Sequence, residues 1–336
     1  MQIVHILAAR PNFIKAAPVI NELAKKGHNN CIIHTNQHYD FMMSKVFFED
    51  LNIPEPDYHL GIRSGTHGVQ TGTSIIEIEK VLIQEKPDII VVYGDVNSTL
   101  AGALAAAKLN IPIHHIESGC RSYDRAMPEE INRIIVDSIS TELYCTEKSA
   151  YNNLIEQYGE LPSIHLVGNT AIDTLHTIKN KLVAITPGYY LCTLHRPFNV
   201  DSPDTLNIIL DKLESLDKPV IIPAHPRLKN NIDSSKQYNN LQFIEPLGYI
   251  KFISYIKYSS GVISDSGGVQ CEAAFFEIPA LTLRPTTEHM LTLEFGNRLG
   301  DVNDIKPGMF DNIHWEKKIV SEWDGRASKR IAEIIG

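Results

Sequence analysis

Residues 89–109 read IIVVYGDVNSTLAGALAAAKL, and this stretch decides the fold class. Its five apolar residues, Ile89–Tyr93, predict a strand that is buried on both faces of a sheet. A short polar turn follows, and the Ala- and Leu-rich run after it predicts a helix over residues 97–109. A buried strand that passes through a short loop into a helix is typical of a parallel α/β sheet.

The same alternation continues along the whole chain. Further strands are predicted at Gln2–Leu7, Cys31–Thr35, Ile111–Ile116, Ser163–Val167, Tyr189–Leu194, Val220–Pro223, Leu241–Ile244, Gly261–Ser264 and Ala280–Leu283, and further helices at Asn12–Lys26, Glu129–Ser140 and Thr205–Leu216. One hydrophobic core stops growing at roughly 250–300 residues, so two domains are expected. The predicted fold is α/β, with two Rossmann-like domains facing each other across a cleft and a boundary near residues 168–187. Ligands of such sheets bind at the carboxyl ends of the strands.

The composition excludes several classes of protein. Lys and Arg total 31 against 40 Asp and Glu, and such an acidic chain without a dense basic run is a poor nucleic-acid binder. The five cysteines are scattered and form no C-x-x-C pattern, which favours reduced thiols over disulfides or a zinc site. The sequence shows no signal peptide and no apolar stretch of ~18 residues that would span a membrane. We therefore predict a cytoplasmic protein with no nucleic-acid or membrane partner.

Charged residues follow the strands of the first half. Arg10 and Lys15 flank the start of the first helix, which indicates either a phosphate site or two solvated cations. Glu117 ends an apolar strand, where a carboxylate needs a partner or a function. Directly before it, His114 and His115 point to opposite faces of the strand, so they are expected to pack in or on the sheet rather than to share a metal ion.

Two more carboxylates belong to the same predicted sheet edge. Asp95 follows the Ile89–Tyr93 strand, and we expect residue 97 or 98 to cap the next helix and to leave Asp95 free. Glu129 and Arg133 are four apart on a helix, so an ordinary surface ion pair is one interpretation. Three carboxylates on successive loops, Asp95, Glu117 and Glu129, make that interpretation weaker.

The second half contains the strongest single signal, SDSGGVQCE at residues 264–272. It follows a predicted strand and opens a helix, and its two glycines let backbone N–H groups approach an anion. No G-x-G-x-x-G fingerprint and no Walker A sequence occurs, so neither a standard dinucleotide site nor an NTPase is supported. His195-Arg196 and His225-Pro226-Arg227 also follow strands, and the residues leave open whether these histidines are structural or catalytic.

Taken together, these loops resemble the non-hydrolysing UDP-N-acetylglucosamine 2-epimerase family. The resemblance covers almost the whole chain in the family's order. Its motifs are ARPNFIK at 9–15, QHYD at 37–40, SGTHGVQTG at 64–72, YGDVNSTLAGALAAAKL at 93–109, IESGCRS at 116–122, MPEEINR at 127–133, LHR at 194–196, AHPR at 224–227 and SDSGGVQCEA at 264–273.

The resemblance implies a GT-B-like fold, with an N-terminal domain over residues 1–169 and a UDP-binding domain over 170–319. It also implies a C-terminal helix, about 320–336, that packs back on the first domain. By carry-over the catalytic residues are Asp95, Glu117, Glu129 and His195. The residues that line the UDP-sugar site by the same carry-over are Arg10, Lys15, Gln70, Arg133, His225, Phe252, Ser266, Gly267, Gly268 and Glu272.

The implied reaction inverts carbon 2 of UDP-N-acetylglucosamine without NAD and without a metal. The C2 proton is barely acidic, because no carbonyl adjoins that carbon. The family route therefore eliminates UDP to 2-acetamidoglucal and adds it back on the other face, which requires a held phosphate and carboxylates that exchange protons. The resemblance also predicts a homodimer.

The chain departs from the family pattern at three places. Phe198 stands where the family's HR-x-E-N loop has Glu, YDFMMS follows Gln37-His38, and His289-Met290 replaces R-P. The first two predict an altered activation by a second UDP-sugar. Two alternative functions stay open, a GT-B glycosyltransferase that uses a UDP-sugar donor and a non-catalytic UDP-sugar sensor. An acceptor-free turnover assay separates all three.

Overall fold

The computed structural model describes residues 1–8, 10–36, 48–63, 65–224, 226–232, 236–311, 313 and 320–336, and within these ranges the side chains of residues 10, 36, 226 and 227 are not described. The chain forms two compact units. The first contains Met1–Thr177 with Ile319–Gly336, and the second contains Ile178–Lys318.

Each unit is built on a parallel sheet with helices in the connections. The strand order is β3-β2-β1-β4-β5-β6-β7 in the first unit and β10-β9-β8-β11-β12-β13 in the second. Every pair of neighbouring strands in the described chain is parallel. In both sheets the order reverses beside the first strand, which is the Rossmann-like arrangement. The predicted α/β class with two Rossmann-like sheets is confirmed.

The first unit alternates strands and helices as its sequence predicts. Its strands are β1 (Gln2–Leu7), β2 (Asn29–Asn36), β3 (Tyr58–Ile62), β4 (Ile89–Tyr93), β5 (Ile113–Ser118), β6 (Glu142–Cys145) and β7 (Ile164–Leu166). Its described helices are α1 (Arg10–Lys25), α2 (His67–Glu85), α3 (Asn97–Lys108), α4 (Pro128–Ile139), α5 (Lys148–Tyr158) and α6 (Thr170–Ile178), which leads into the second unit.

The second unit repeats this pattern with shorter elements. Its strands are β8 (Tyr190–Thr193), β9 (Val220–Pro223), β10 (Leu241–Ile244), β11 (Val262–Ser264), β12 (Ala280–Thr282) and β13 (Asn297–Leu299). Its described helices are α7 (Pro197–Val200), α8 (Pro203–Glu214), α9 (Pro226–Lys229), α10 (Tyr249–Tyr258) and α11 (Gly267–Phe275). Short 3-10 turns lie at Met290–Glu294 and Val302–Asp304.

The central strands carry the core of the first unit. All five residues of β4 are buried, and β4 lies between β1 and β5. The Ala-rich helix α3 packs on this strand through its small residues, and a side chain at Gly102 would come within 2.9 Å of Ile6. The predicted doubly buried strand and the helix after it are therefore confirmed.

The C-terminal segment Ile319–Gly336, which contains helix α12 (Ala327–Ile335), belongs to the first unit, whereas Ile178–Lys318 belongs to the second. The buried Asp173 of α6 accepts hydrogen bonds from the backbone N–H of Ala327 and from both N–H and O–H of Ser328, at 2.6–3.2 Å. His176 bonds the carbonyl of Trp323 at 3.0 Å. These contacts fix the start of the last helix against α6.

Several local predictions are wrong. The first helix spans Arg10–Lys25 rather than the predicted Asn12–Lys26. Helix α3 has Val96 at its cap without a side-chain bond, because Ser98 instead bonds Thr35 at 2.8 Å. Three strands were not predicted. Strands β6 and β13 are short and begin with a polar residue, and β3 alternates between half-buried and exposed residues.

The five cysteines are free and buried, as predicted. In the described part of the chain, no helix is long and apolar enough to cross a bilayer.

Candidate active site

Lys15 and Glu117 form a buried ion pair at the carboxyl edge of the first sheet. The Lys15 Nζ lies 2.6 Å from the Glu117 Oε1, and the two side chains are 16% and 6% exposed. Burial by itself lowers the pKa of Lys15, but the Glu117 and Asp95 carboxylates outweigh burial and raise that pKa above its ordinary value. Lys15 therefore stays charged, and it is a partner of a carboxylate rather than a solvated cation.

The backbone around Glu117 is held in an unusual conformation. Glu117 has φ of 73°, which is in the left-handed region that ordinary side chains avoid. Gly119 follows with φ of 76°, and a Cβ there would lie 2.2 Å from the Ala150 carbonyl oxygen. Strain of this kind, roughly 1–3 kcal/mol, persists only where the surroundings impose it, and it clusters at functional sites.

Asp95 is bound to Arg133. The Asp95 Oδ2 accepts a hydrogen bond from the Arg133 Nη2, so the expectation that Asp95 stays free is wrong. The Arg133 Nη1 donates to the Glu130 Oε2 at 2.9 Å, and both of these side chains are at most 3% exposed. One buried guanidinium thus joins the loop after β4 to the first turn of α4.

Glu130 was not among the predicted site residues, although it holds a loop of the site in place. Its two oxygens accept from the Ser122 N–H, the Ser122 hydroxyl and the Tyr123 N–H at 2.9–3.1 Å. The neighbouring Glu129 is half-buried in the same first turn of α4. The signal was present in the sequence, because adjacent glutamates on an amphipathic helix point in different directions and one of them faces the core.

A chain of amide side chains continues from Asp95 to α2. Asn132 donates to the Asp95 carbonyl at 2.8 Å and to the Asn97 Oδ1 at 3.3 Å. Asn97 in turn donates to the Gln70 Oε1 at 3.2 Å. Gln70 and Asp95 therefore belong to one hydrogen-bonded network, which agrees with their assignment to one site.

In the second unit, Asp265 organises the loop that contains His195. The carboxylate of Asp265 is completely buried, and its Oδ1 lies 2.9 Å from the His195 Nδ1. It also accepts from the backbone N–H groups of His195 and Arg196 and from the Asn199 side chain, at 2.9–3.1 Å. Burial alone would raise the pKa of Asp265, but these hydrogen bonds, with the His195 bond the largest, lower it below its ordinary value.

The predicted Gly-Gly start of helix α11 is confirmed, and its two glycines differ. A Cβ at Gly267 would lie 2.5 Å from the Glu288 Oε1, so Glu288 needs a glycine at this position. Nothing lies within 4 Å of a Cβ at Gly268, which is exposed. Glu288 is itself paired with the buried Arg284 at 2.8 Å. Ser266 is extended and makes no side-chain cap at the start of this helix, and N–H groups at a helix start generally favour negative charge.

Glu272 is a buried carboxyl one turn further along α11. The Tyr249 hydroxyl of α10 donates to its Oε1 at 3.1 Å. Burial raises the pKa of Glu272 to about 8, against the lowering effect of this hydrogen bond. Glu272 is therefore largely uncharged at neutral pH. Phe252 lies half-buried on α10, three residues after Tyr249.

Two predicted residues lie outside what the structure describes, namely His225 and the side chain of Arg10. Phe198, which replaces the family glutamate, is 54% exposed. It lines a cavity of about 550 Å³ together with Thr205, Ile209, Leu283 and Val302. Among the described residues, no group of three His, Cys, Asp or Glu side chains is arranged to hold a metal ion.

Comparison with known proteins shows the family of this chain. The family model for UDP-N-acetylglucosamine 2-epimerase matches residues 21–336. The chain is 42% identical to the UDP-N-acetylglucosamine 2-epimerase of Methanocaldococcus jannaschii over 100% of this chain and 99% of that one. It is 40% identical to the UDP-2,3-diacetamido-2,3-dideoxy-D-glucuronate 2-epimerase of Pseudomonas aeruginosa, over 100% and 99% of the two chains.

Solved structures give the same result. The crystal structure of the Methanocaldococcus jannaschii UDP-GlcNAc 2-epimerase in complex with UDP-GlcNAc and UDP matches with a TM-score of 0.88 at 40% identity, over 100% of this chain and 99% of that one. Family match, full-length identity and fold thus agree with the resemblance seen in the sequence. This chain belongs to the UDP-N-acetylglucosamine 2-epimerase family.

Proposed function

We propose that this protein is a non-hydrolysing epimerase that interconverts UDP-N-acetylglucosamine and UDP-N-acetylmannosamine, or a closely related UDP-N-acetylhexosamine, at carbon 2. The observation that carries this proposal is the buried Lys15–Glu117 ion pair beside the Asp95–Arg133 pair, in a chain of this family. An ionised carboxylate held by fixed cations at a sheet edge is suited to proton exchange and to the stabilisation of positive charge at C1.

The proposed reaction has two balanced halves. In the first, the bond from C1 to the diphosphate oxygen breaks, a carboxylate takes the C2 proton, and the products are 2-acetamidoglucal and UDP. In the second, a phosphate oxygen of UDP adds to C1 while a proton arrives at C2 on the opposite face. Neither half transfers a hydride, so the proposed route uses no NAD, and fixed N–H groups and cations rather than a metal ion stabilise the leaving diphosphate. Asp95, Glu117 and Glu129 are the proposed proton-exchanging groups.

We assign the nucleotide to the second unit. The start of helix α11, with Ser266, Gly267 and Gly268, suits the diphosphate because its N–H groups and helix dipole favour negative charge. A largely uncharged Glu272 does not repel that diphosphate, and it can share hydrogen bonds with sugar hydroxyls. Phe252 offers an aromatic surface for the uracil. Arg10, Gln70, Arg133 and His225 complete the proposed set of binding residues.

We also propose His195, held by Asp265, as the fourth catalytic residue. The proposed domains are residues 1–169 with the C-terminal helix, which supply the carboxylates, and residues 170–319, which bind UDP. A cytoplasmic homodimer is the proposed state of the enzyme.

A proton NMR assay tests this function. The purified protein is incubated in D2O with UDP-N-acetylglucosamine, UDP-N-acetylmannosamine and a UDP-2,3-diacetamido uronic acid in separate samples, without any acceptor. The expected result is a second anomeric signal from the C2 epimer, with deuterium at C2. Release of UDP and a free sugar as the only products would indicate hydrolysis. Turnover only after an acceptor is added would indicate a glycosyltransferase, and no change at all would indicate a sensor.

A further inference from the structure

Asp137 of helix α4 contacts strand β5, which carries Glu117, and the turn after this strand. Its side chain and that of His115 are both fully buried. The Asp137 Oδ1 lies 2.7 Å from the His115 Nδ1, and its Oδ2 lies 2.7 Å from the Arg121 Nη1 and 3.2 Å from the Gly119 N–H. One carboxylate therefore binds three donors from β5 and the turn after it.

The second nitrogen of His115 extends this network to the neighbouring loop. The His115 Nε2 lies 2.9 Å from the carbonyl oxygen of Gly94, the residue before Asp95. The Gly94 N–H is already bonded to the Ile116 carbonyl of β5 at 3.0 Å. Gly94, with φ of 64°, is thus held from β5 through both its N–H and its carbonyl.

Both ring nitrogens of His115 have hydrogen-bond partners. A carbonyl oxygen has no hydrogen to give, so the Nε2 must carry the hydrogen of its bond to Gly94. The Nδ1 lies 2.7 Å from the Asp137 carboxyl. His115 thus links Asp137 to Gly94, one through each ring nitrogen.

We propose that Asp137 is a positioning residue, which holds the Glu117 turn through Gly119 and Arg121 and holds Asp95 through His115. This inference rests on the proposed function for the roles of Asp95 and Glu117. Glu117 has a strained φ, and a strained backbone returns to a relaxed conformation unless contacts with its neighbours hold it. The contacts of Asp137 are of this kind. Misplacing catalytic groups by about 1 Å costs on the order of 10²-fold in rate.

The test compares Asp137→Asn with Asp173→Asn. Asp173 is the matched control, because it is also a buried aspartate of the first unit but binds the start of helix α12 instead of the segments that carry Asp95 and Glu117. We expect Asp137→Asn to lower kcat by about 10²-fold, with KM changed less than about 3-fold. Asp173→Asn should lower the thermal midpoint and leave kcat of the folded enzyme within about 2-fold. If kcat fell equally in the two variants, and in proportion to the fall in their thermal midpoints, the positioning role would be overturned.

Two substitutions of His115 test the link to Gly94. His115→Gln keeps an N–H donor for the Gly94 carbonyl, whereas His115→Leu keeps the bulk and loses the donor. We expect the larger loss of kcat in His115→Leu, and equal losses would contradict the link.

Two measurements are independent of activity, so they stand even if the wild-type protein fails to epimerise any UDP-sugar and the proposed function is wrong. The ¹⁵N NMR spectrum of the histidine rings should show a hydrogen on the Nε2 of His115, whose signals are those missing from the spectrum of His115→Gln. A His115 ring whose Nε2 carries no hydrogen would overturn the proposal. Hydrogen–deuterium exchange of residues 94–97 and 117–121 should be faster in Asp137→Asn than in Asp173→Asn, and unchanged exchange would also overturn it.

Discussion

The carboxylate of Asp265 holds the Nδ1 of His195 at 2.9 Å while the imidazole is still 40% exposed. A carboxylate accepts hydrogen bonds, so the Nδ1 carries the hydrogen and the Nε2 is the ring nitrogen left to act on a ligand. The same carboxylate holds the backbone of His195 and Arg196. Asp265 therefore fixes the position, the orientation and the tautomer of His195 together.

Replacing Asp265 by Asn should disable His195 without removing it. Asn would present an N–H₂ group to the N–H groups that now donate to Asp265. The His195 ring would then lose the acceptor that fixes its tautomer, and the backbone of His195 and Arg196 would lose hydrogen bonds. We expect kcat to fall by about 10²–10⁴-fold, the range of a lost acid–base group. Steady-state kinetics measure the effect. Asp211→Asn, which removes a surface ion pair with Lys236 in the same unit, should leave kcat unchanged. Full activity of Asp265→Asn would show that His195 needs no such support.

Lys15 and Glu117 should behave as one unit in a double-mutant cycle. Glu117→Gln removes the titratable oxygen, and Lys15→Met leaves the carboxylate buried without its cation. Each change should slow deuterium incorporation at C2 by about 10²–10⁴-fold. The double variant should be hardly slower than either single one, because the second substitution removes a group that has already lost its partner. Losses that multiply would indicate that the two residues act independently.

Glu129 and Glu130, which are adjacent in sequence, should give opposite phenotypes. Glu130→Gln weakens the group that accepts hydrogen bonds from Ser122, Tyr123 and Arg133. Because breaking a buried charge pair costs roughly 3–5 kcal/mol, the urea midpoint of this variant should fall clearly. Glu129→Gln should leave the urea midpoint nearly unchanged and reduce turnover. A stable, fully active Glu130→Gln protein would contradict the anchoring role that its contacts indicate.

The strand Ile89–Tyr93 could be predicted from sequence because its five residues are all apolar and all buried. Val220–Pro223 and Leu241–Ile244 also have the predicted bounds, although neither strand is buried along its whole length. Strand β13 could not be predicted, since three residues beginning with Asn carry no periodic signal. Its place depends on parallel pairing with β12, which is a long-range contact.

The sequence predicts candidate site residues, but it does not predict the whole network that joins them. Sequence spacing considered only Glu129 for Arg133, and it gave no sign that the guanidinium binds Glu130 and Asp95, the latter 38 positions away. Asp265 and Asp137 were missed as anchors because their role depends on donors from distant loops. A buried aspartate at the end of a strand or inside an amphipathic helix was the available signal, since an unpaired carboxylate there would be costly.

Removal of metal ions and of nicotinamide cofactors should not affect turnover. The proposed elimination and re-addition transfer no electrons, and the leaving diphosphate is stabilised by fixed N–H groups and cations. The protein is dialysed against EDTA, passed over a desalting column and assayed with UDP-N-acetylglucosamine alone. The rate should equal that of the untreated enzyme within error. Loss of activity that a divalent ion restores would refute the prediction.

Stability should fall with rising pH through the titration of Glu272. Burial raises the pKa of this carboxyl to about 8, whereas in the unfolded chain it titrates at an ordinary value near 4.3. Between these two values the folded state binds a proton that the unfolded state does not, so the free energy of unfolding decreases by about 1.4 kcal/mol per pH unit from this group. Below the lower pKa Glu272 is protonated in both states, and above pH ~8 it is ionised in both. In these two ranges Glu272 therefore adds no pH dependence to the free energy of unfolding.

The measurement is the urea midpoint of the wild type and of Glu272→Gln from pH 5 to pH 9. Gln cannot titrate, so the wild-type midpoint should drop relative to the variant up to pH ~8 and then run parallel to it. Parallel curves over the whole range would mean that Glu272 titrates normally, and its assignment as an uncharged group beside the diphosphate would then be wrong.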